Sequence, residues 1–344
     1  MSSYLELTAR QRIPAMFDAG SFEEFLPPSA RVASPHLAQL DSPVSFDDGV
    51  VVGRGLLGGH TVFGAAQEGA FMGGAVGEVH GAKLAGMLRR AIDERAHAVL
   101  LLLESGGVRL HEANAGLIAV SEVMRAMLDV RAAGIPVVAV VGGANGCFGG
   151  MGIAARCANT VIMSEEGRLA MSGQEVIETA NGVEEFDSRD RALVWRTTGG
   201  KHRYLMGDCQ LLVADDTAAF RAAALDAIAD LVQGEVGLTL EGLLAEQDML
   251  ARRLQDADGA SEPMELWRRL GVSDPAGVPM LEADAFLALA ARHRAGLQPA
   301  ASGTGELSWI GRHWQHSCSR AGTTSSSATT SCPAAPRSTA SGSP

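Results

Sequence analysis

Two segments of this chain combine residue types that could stabilise an anion with backbone atoms alone. The first runs Glu104-Ser105-Gly106-Gly107-Val108-Arg109-Leu110-His111-Glu112. The second runs Gly142-Gly143-Ala144-Asn145-Gly146-Cys147-Phe148-Gly149-Gly150-Met151-Gly152. Each follows a continuous apolar run that reads as a strand buried on both faces, and α/β folds place ligand sites at such strand ends. Glycines there let the backbone turn sharply and leave its N–H groups bare. Helical patterns follow both loops, so their amides are expected near the positive end of a helix dipole. Side by side, the loops could aim donors at one oxygen, an arrangement worth roughly 3–4 kcal/mol per donor. The competing reading is that the glycines only permit close packing of strand on helix.

The surrounding pattern places these loops on a regular scaffold. Residues 5–26 read as a helix and turn stopped by Pro27-Pro28, and a polar link from Ser34 to Pro43 follows. The stretch DDGVVVGRGLLGGHTVFGAAQE reads as a β-hairpin around a glycine turn. It contains Gly53, Gly55 and Gly58 in the G-x-G-x-x-G spacing of a dinucleotide site, but that motif needs a helix after the glycines, and HTVFGAAQ is β-like. From residue 75 onward helix and strand alternate: helices at 75–95 and 112–133, strands at 97–103, 137–141 and 160–163, and a short helix ending at Cys157. This is a run of β-α units around a parallel sheet. A helix near Gln174–Thr179, a short strand at Leu211–Val213 and helices at 217–233, 237–256 and 281–295 complete the pattern. The expected organisation is an N-terminal helical segment at 1–40, an α/β domain with C-terminal helices at 41–298 and a low-complexity tail at 299–344. In that tail Ser, Thr, Ala, Pro and Gly dominate, a composition that cannot bury enough apolar surface to order itself.

Composition excludes several functions. The net charge of −12 and the absence of a basic stripe argue against nucleic acid, and lysine occurs only at Lys83 and Lys201. Five cysteines without C-x-x-C spacing give neither a zinc ribbon nor a disulfide framework, so no metal site is expected. No apolar run approaches a membrane span, and the N-terminus is unlike a signal peptide, which makes the cytoplasm the expected location.

At the two loops the sequence becomes recognisable. ESGGVRLHE resembles the S-G-G-A-R-x-x-E motif of acyl-CoA carboxyltransferases, and NGCFGGMGIAARC resembles the crotonase element that supplies a second oxyanion donor. FDDGVVVGRG, FMGGAVGEVHGAKL, HEANAGLIAVSE, SEEGRLAMSGQEVIE and FDSRDRALVWRTTGGKHRYL, in order across residues 5–235, are similar to the β subunits of malonate decarboxylases. Two features depart from relatives: Gln174 follows Ser172-Gly173 where proline is usual, and the four-cysteine zinc ribbon of bacterial acetyl-CoA carboxylase is missing.

The resemblance implies a crotonase-like α/β fold, a spiral of ββα units with a mainly parallel sheet and flanking helices. It implies a lyase reaction in which a malonyl thioester on an acyl carrier protein loses CO2 and leaves an acetyl thioester. No cofactor is expected on this chain; a phosphopantetheine-type group, 2'-(5''-phosphoribosyl)-3'-dephospho-CoA, would be carried by the acyl carrier protein. The other expected partner is a sister γ subunit of the same fold, which shares the site. The candidate oxyanion donors are then the N–H groups of Gly107, Val108, Gly149 and Gly150. Lys83 could meet a phosphate or be a solvated helix lysine; Phe148 is a candidate substrate contact. Arg109 and His111 could orient a carboxylate or relay a proton, and Arg109 could instead bridge Glu104 or Glu112. Cys147 is read as packing, since no histidine is expected beside it, and Cys157 as core. His80 and His202 are candidates only as neighbours of motif residues. The run Glu184–Asp190 is expected as a salt-bridged surface or subunit contact. Two rivals remain: carboxyl transfer to a biotin carrier, and a non-catalytic scaffold subunit.

Overall fold

The computed structural model describes residues 2–294 apart from Glu235 and Ser261, so the expected tail lies outside the described residues. Seven strands form one sheet in sequence order: β1 (Glu23–Glu24), β2 (Val50–Leu57), β3 (His60–Gln67), β4 (Ala98–Leu102), β5 (Val137–Val141), β6 (Thr160–Ser164) and β7 (Leu211–Val213). The first three are antiparallel neighbours, and every pairing from β3 onward is parallel. The helices are α1 (Ala9–Met16), α2 (Pro35–Gln39), α3 (Glu78–Asp93), α4 (Asn114–Ala132), α5 (Gly149–Arg156) and α6 (Gln174–Asn181). They continue with α7 (Arg191–Thr198), α8 (Gly200–Leu205), α9 (Thr217–Gln233), α10 (Leu240–Ala257), α11 (Pro263–Arg269) and α12 (Ala283–His293).

The expected hairpin is β2–β3. Its two-residue turn is Gly58-Gly59, both at positive φ (60° and 81°), a conformation in which only glycine is unstrained. The Asp18 carboxylate accepts both turn N–H groups, at 3.2 and 2.9 Å. Gly53 and Gly55 lie within β2, not before a helix. A β-carbon on Gly53 would collide with the Glu23 carbonyl, so the glycines of this false dinucleotide motif let Phe22 and the edge strand β1 approach β2 closely.

The continuous apolar runs are divided by strand alternation between two faces. Val99, Leu101, Val137, Ala139, Val141, Val161 and Met163 face one way, towards residues of α3, α4 and α5. Ala98, Leu100, Leu102, Val138, Val140 and Ile162 face the other, towards α1 and α9. The N-terminal segment therefore covers one face of the main sheet. A third cluster, Leu205, Trp267, Val272, Val278, Phe286 and Ala290, gathers α8, α11 and α12. There the Lys201 amine donates to Glu165 Oε1 (2.7 Å), the Pro279 carbonyl (3.0 Å) and the Leu281 carbonyl (2.7 Å).

Past the ends of the main strands the chain forms a second, smaller stack of parallel bridges: Val76 with Val108, Ser105 with Cys147, and Cys147 with Leu169. These bridges make each unit a ββα unit and set the two glycine loops next to one another. The α1 side fixes them further. Arg12 is 1% exposed and ion-pairs with Glu104, its Nε donates to the Tyr4 carbonyl (3.2 Å), and its guanidinium lies 4.7 Å from the Tyr4 ring centroid. Glu104 Oε1 accepts the Asn145 N–H of the second loop at 2.9 Å, and Gly143 leaves room for the carboxylate where a β-carbon would strike it.

Removing one partner of a buried ion pair strands the other charge. Arg12→Met is expected to lower stability by about 3–5 kcal/mol, and Arg12→Met with Glu104→Gln to recover part of that loss, measured by urea denaturation.

Candidate active site

Gly107 and Gly149 meet as backbones. Gly107 has φ 111° and Gly149 φ 59°, both in the region that favours glycine. A β-carbon on Gly107 would lie 3.2 Å from the Gly149 Cα, 3.2 Å from the Phe148 carbonyl oxygen and 3.5 Å from the Gly150 nitrogen. One on Gly149 would lie 3.2 Å from the Gly107 Cα. The loops are tied by Ser105 N–H to the Gly146 carbonyl (2.8 Å) and Phe148 N–H to the Ser105 carbonyl (2.7 Å).

Of the four candidate donors, two are already engaged. The Gly149 N–H donates to the Met171 carbonyl at 2.9 Å, and the Gly107 N–H to Ser105 Oγ at 3.1 Å. Gly149 and Gly107 are therefore corrected from donors to close-approach residues. The Val108 and Gly150 N–H groups have no partner among the described residues. Each has a local reason. In the parallel bridge with Val76, the Gly107 carbonyl and the Arg109 N–H make the hydrogen bonds, so Val108 turns its own N–H to the other side. Gly150 sits in the first turn of α5, where N–H groups have no intrahelical acceptor and the helix dipole favours negative charge. The dipole expectation fails for the first loop: α4 starts only at Asn114, after a 3₁₀ turn at Leu110–Glu112.

The charged candidates divide sharply. Arg109 is 1% exposed and ion-pairs with Asp48 and Glu112, each at 2.9 Å, so it is a structural cation and the proposed substrate contact is corrected. Asp48 also accepts the N–H groups of His80 (2.9 Å) and Ser34 (3.2 Å), and Glu112 accepts the Glu78 N–H (2.6 Å). Burial raises the Asp48 carboxyl above its usual range despite Arg109. Burial also opposes ionisation of Glu112, yet the Glu78 N–H and Arg109 hold it below its usual range. Lys83 is buried and donates to the carbonyls of Asp47 (2.7 Å) and Val50 (2.6 Å), which corrects both its phosphate reading and its solvated one.

His80 is buried against the Asp48 carbonyl and Gln67, and burial followed by Arg109 lowers it to about 3. His202 accepts from Trp267 Nε1 at 3.1 Å, and burial followed by Arg203 likewise lowers it to about 3. Both are neutral imidazoles in the core. Cys147 is fully buried, and burial pushes its thiol up to about 12, as befits packing. Cys157 is only half-buried, at the end of α5. His111 is exposed beside Leu110, which is 81% exposed. Phe148 is 4% exposed; its ring faces the Arg168 guanidinium at 5.8 Å. In the run Glu184–Asp190, polar groups serve turns and caps instead of a salt-bridged surface: Asp187 accepts the Arg189 N–H (2.9 Å) and Asp190 caps α7 through the Leu193 N–H (3.0 Å). Gln174 occupies the first position of α6, where proline is favoured, and the helix forms with it. Among the described residues, no three His, Cys, Asp or Glu side chains group as metal ligands would.

Sequence reasoning missed Arg168, two residues past Glu166 on the segment that follows β6. Its Nη2 donates to the Ala144 carbonyl of the second loop, and its guanidinium lies between the rings of Phe148 and Trp195, 5.8 and 5.6 Å from their centroids. It lies within SEEGRLAMSGQEVIE, one of the segments that carry the family resemblance, but nothing local marks it as a site residue, because its neighbours come from other parts of the chain.

A sheet of this topology, with ββα units and two glycine loops in backbone contact, is that of a crotonase-like carboxyltransferase fold. The carboxyl transferase domain model matches residues 5–229. The malonyl-S-ACP:biotin-protein carboxyltransferase of Malonomonas rubra is 40% identical over 310 residues, covering 85% of this chain and 97% of the relative. The acetyl-coenzyme A carboxylase carboxyl transferase subunit beta of Fusobacterium nucleatum is 32% identical over 51% of this chain and 59% of its own length. A chain in the crystal structure of a Pseudomonas malonate decarboxylase hetero-tetramer in complex with malonate superposes with a TM-score of 0.71 at 44% identity. That match covers 78% of this chain and 97% of the other. The chain belongs to the carboxyl transferase family.

Arg109 neutralises two buried carboxylates, so Arg109→Met is expected to cost about 3–5 kcal/mol at neutral pH. Glu112, held low, contributes stability above the unfolded value of about 4.3 and loses it as pH falls through its folded value. In the variant those carboxylates are destabilising when ionised and relieved when protonated. The gap between wild type and Arg109→Met should therefore narrow as pH falls, beginning above about 4.3 where the variant's unpaired buried carboxylates take up protons, and continuing until Glu112 of the wild type is protonated, read from denaturation midpoints at several pH values.

Proposed function

We propose that this chain is the carboxyltransferase-type β subunit of a biotin-independent malonate decarboxylase, an enzymatic subunit that removes CO2 from malonyl-S-acyl-carrier-protein. The observation that carries this reading is the pair of uncommitted N–H groups, Val108 and Gly150, beside the contact of Gly107 with Gly149. In the reaction the bond from the thioester α-carbon to the carboxylate breaks, and its electron pair becomes that of an enolate. Negative charge collects on the thioester oxygen, CO2 leaves neutral, and the α-carbon takes a proton to give the acetyl thioester. Donors preset around that oxygen stabilise the transition state more than the ground state. The phosphopantetheine-type arm of the carrier protein brings the acyl group in as substrate.

The partners in this reading are the acyl carrier protein and a sister γ subunit. Exposed apolar side chains support such an assembly: Leu110 in the first loop, Leu117 and Ile118 on α4 after it, Met171, whose carbonyl accepts the Gly149 N–H, and Val176 of α6. Contiguous exposed apolar residues near a site mark interaction surfaces. Among the described residues no helix is long and apolar enough to cross a membrane, and we place the assembly in the cytoplasm.

A second reading is favoured by the name of the Malonomonas relative: the same enolate would form while the carboxyl group passes to a biotin carrier. A scaffold role would need no unpaired donors beside a glycine contact.

The test is CO2 release from malonyl-S-carrier by this subunit co-expressed with its sister subunit, without biotin. Release is expected, and Gly107→Val should reduce it roughly 10²–10³-fold while the complex still assembles on size exclusion. Release that depends on an added biotin carrier would establish the transfer reading. Full activity of an intact Gly107→Val complex would establish the scaffold reading.

A further inference from the structure

We propose that Arg168 binds the carboxylate of the malonyl thioester and so distinguishes the malonyl substrate from the acetyl product, an inference that rests on the reading of the two glycine loops as the thioester site. Arg168 is built into the second loop from both its backbone and its side chain. Its carbonyl accepts the Cys147 N–H at 2.8 Å, the next residue, Leu169, bridges Cys147, and its Nη2 donates to the Ala144 carbonyl. The guanidinium lies over the Phe148 and Trp195 rings. Phe148 in turn supplies the carbonyl oxygen that stands 3.2 Å from where a Gly107 β-carbon would be. The cation is thus held within one side chain of the glycine contact.

Its electrostatic situation differs from that of most other buried arginines; Arg131, which also lacks a carboxylate partner among the described residues, sits at the C-terminal end of α4 and donates to the Cys157 carbonyl. Arg12, Arg109, Arg203 and Arg253 each ion-pair with a carboxylate of this chain. Arg168 forms no ion pair with a described residue, although it is half-buried. Burial disfavours its charge; Glu175 and Glu104 offset this only in part, and Arg191 adds to it. Glu104 is committed to Arg12, and the Glu175 carboxylate accepts from Gln174 at 2.9 Å. A guanidinium fixed by one backbone acceptor and two aromatic faces, with donors left over, suits a planar carboxylate. In a malonyl thioester that carboxylate is two bonds from the thioester carbonyl carbon, whose oxygen would lie at the Val108 and Gly150 N–H groups. When the C–C bond breaks, the carboxylate becomes neutral CO2 and the ion pair with Arg168 ceases to exist. The acetyl product is then held only by the contacts it shares with substrate, which favours its release.

The experiment compares equilibrium binding of two carrier-linked amide analogues, malonyl-amide and acetyl-amide, to the co-expressed complex by calorimetry. The amides replace the thioester sulfur by nitrogen and so persist through the titration. The wild-type complex should prefer the malonyl analogue; Arg168→Met should weaken malonyl binding about tenfold or more and leave acetyl binding unchanged, and Arg168→Lys should retain part of the preference. Equal weakening of both analogues would show a structural role and overturn the proposal, as would an unchanged preference in Arg168→Met or no preference in wild type. Malonyl preference that depends on Arg168 in a complex that releases no CO2 would uphold this inference while removing the decarboxylase reading.

Discussion

The approach of Gly107 to Gly149 is the constraint on which the site depends. Two β-α units can present donors to one oxygen only if their loops touch as bare backbone, and positive φ at both positions makes the side-chain-free contact obligatory. The rest of the molecule holds that contact in place. The bridges between Ser105 and Cys147 and between Cys147 and Leu169 bring the loops together. The first loop is pinned at both ends by buried ions: Glu104 to Arg12 of α1, and Arg109 with Glu112 to Asp48 ahead of β2.

Those buried ions are committed to one another and shape the backbone. Charges taken out of water must be paired and hydrogen-bonded, and each carboxylate here also accepts a backbone N–H: Glu104 from Asn145, Asp48 from His80, Glu112 from Glu78. Lys83 achieves the same with carbonyls. Among the described residues, the Val108 and Gly150 amides of the loops have no acceptor, and the Arg168 guanidinium has no carboxylate partner. The first suit a charge that develops during reaction; the second suits a charge already present on the substrate.

Much of this was legible in the chain. The apolar runs, the glycine punctuation and the hairpin specified the order of strands and helices, and the order of motifs specified the family. Some short elements were read, as β7 was from its apolar run, but others were not legible. β1, α2, α7, α8 and α11 carry two to eight residues each, too few for a periodic pattern. Their formation depends on what they pack against, as Trp267 of α11 does on Leu205 and Phe286.

At the site the division is equally clear. The sequence by itself determined that two glycine loops end two parallel strands, since apolar runs and glycine spacing are local properties. Only the tertiary structure decided which amides were free, because Gly149 finds Met171 and Val108 turns away from Val76 through contacts across chain segments. It also exchanged the roles of the cations: burial converted Lys83 and Arg109 from candidate ligands into braces, while Arg168, not singled out in the sequence, stands beside the second loop without a carboxylate partner among the described residues. Charge is written in the sequence, but whether a charge is paired is a matter of distance, and distance is set by the fold.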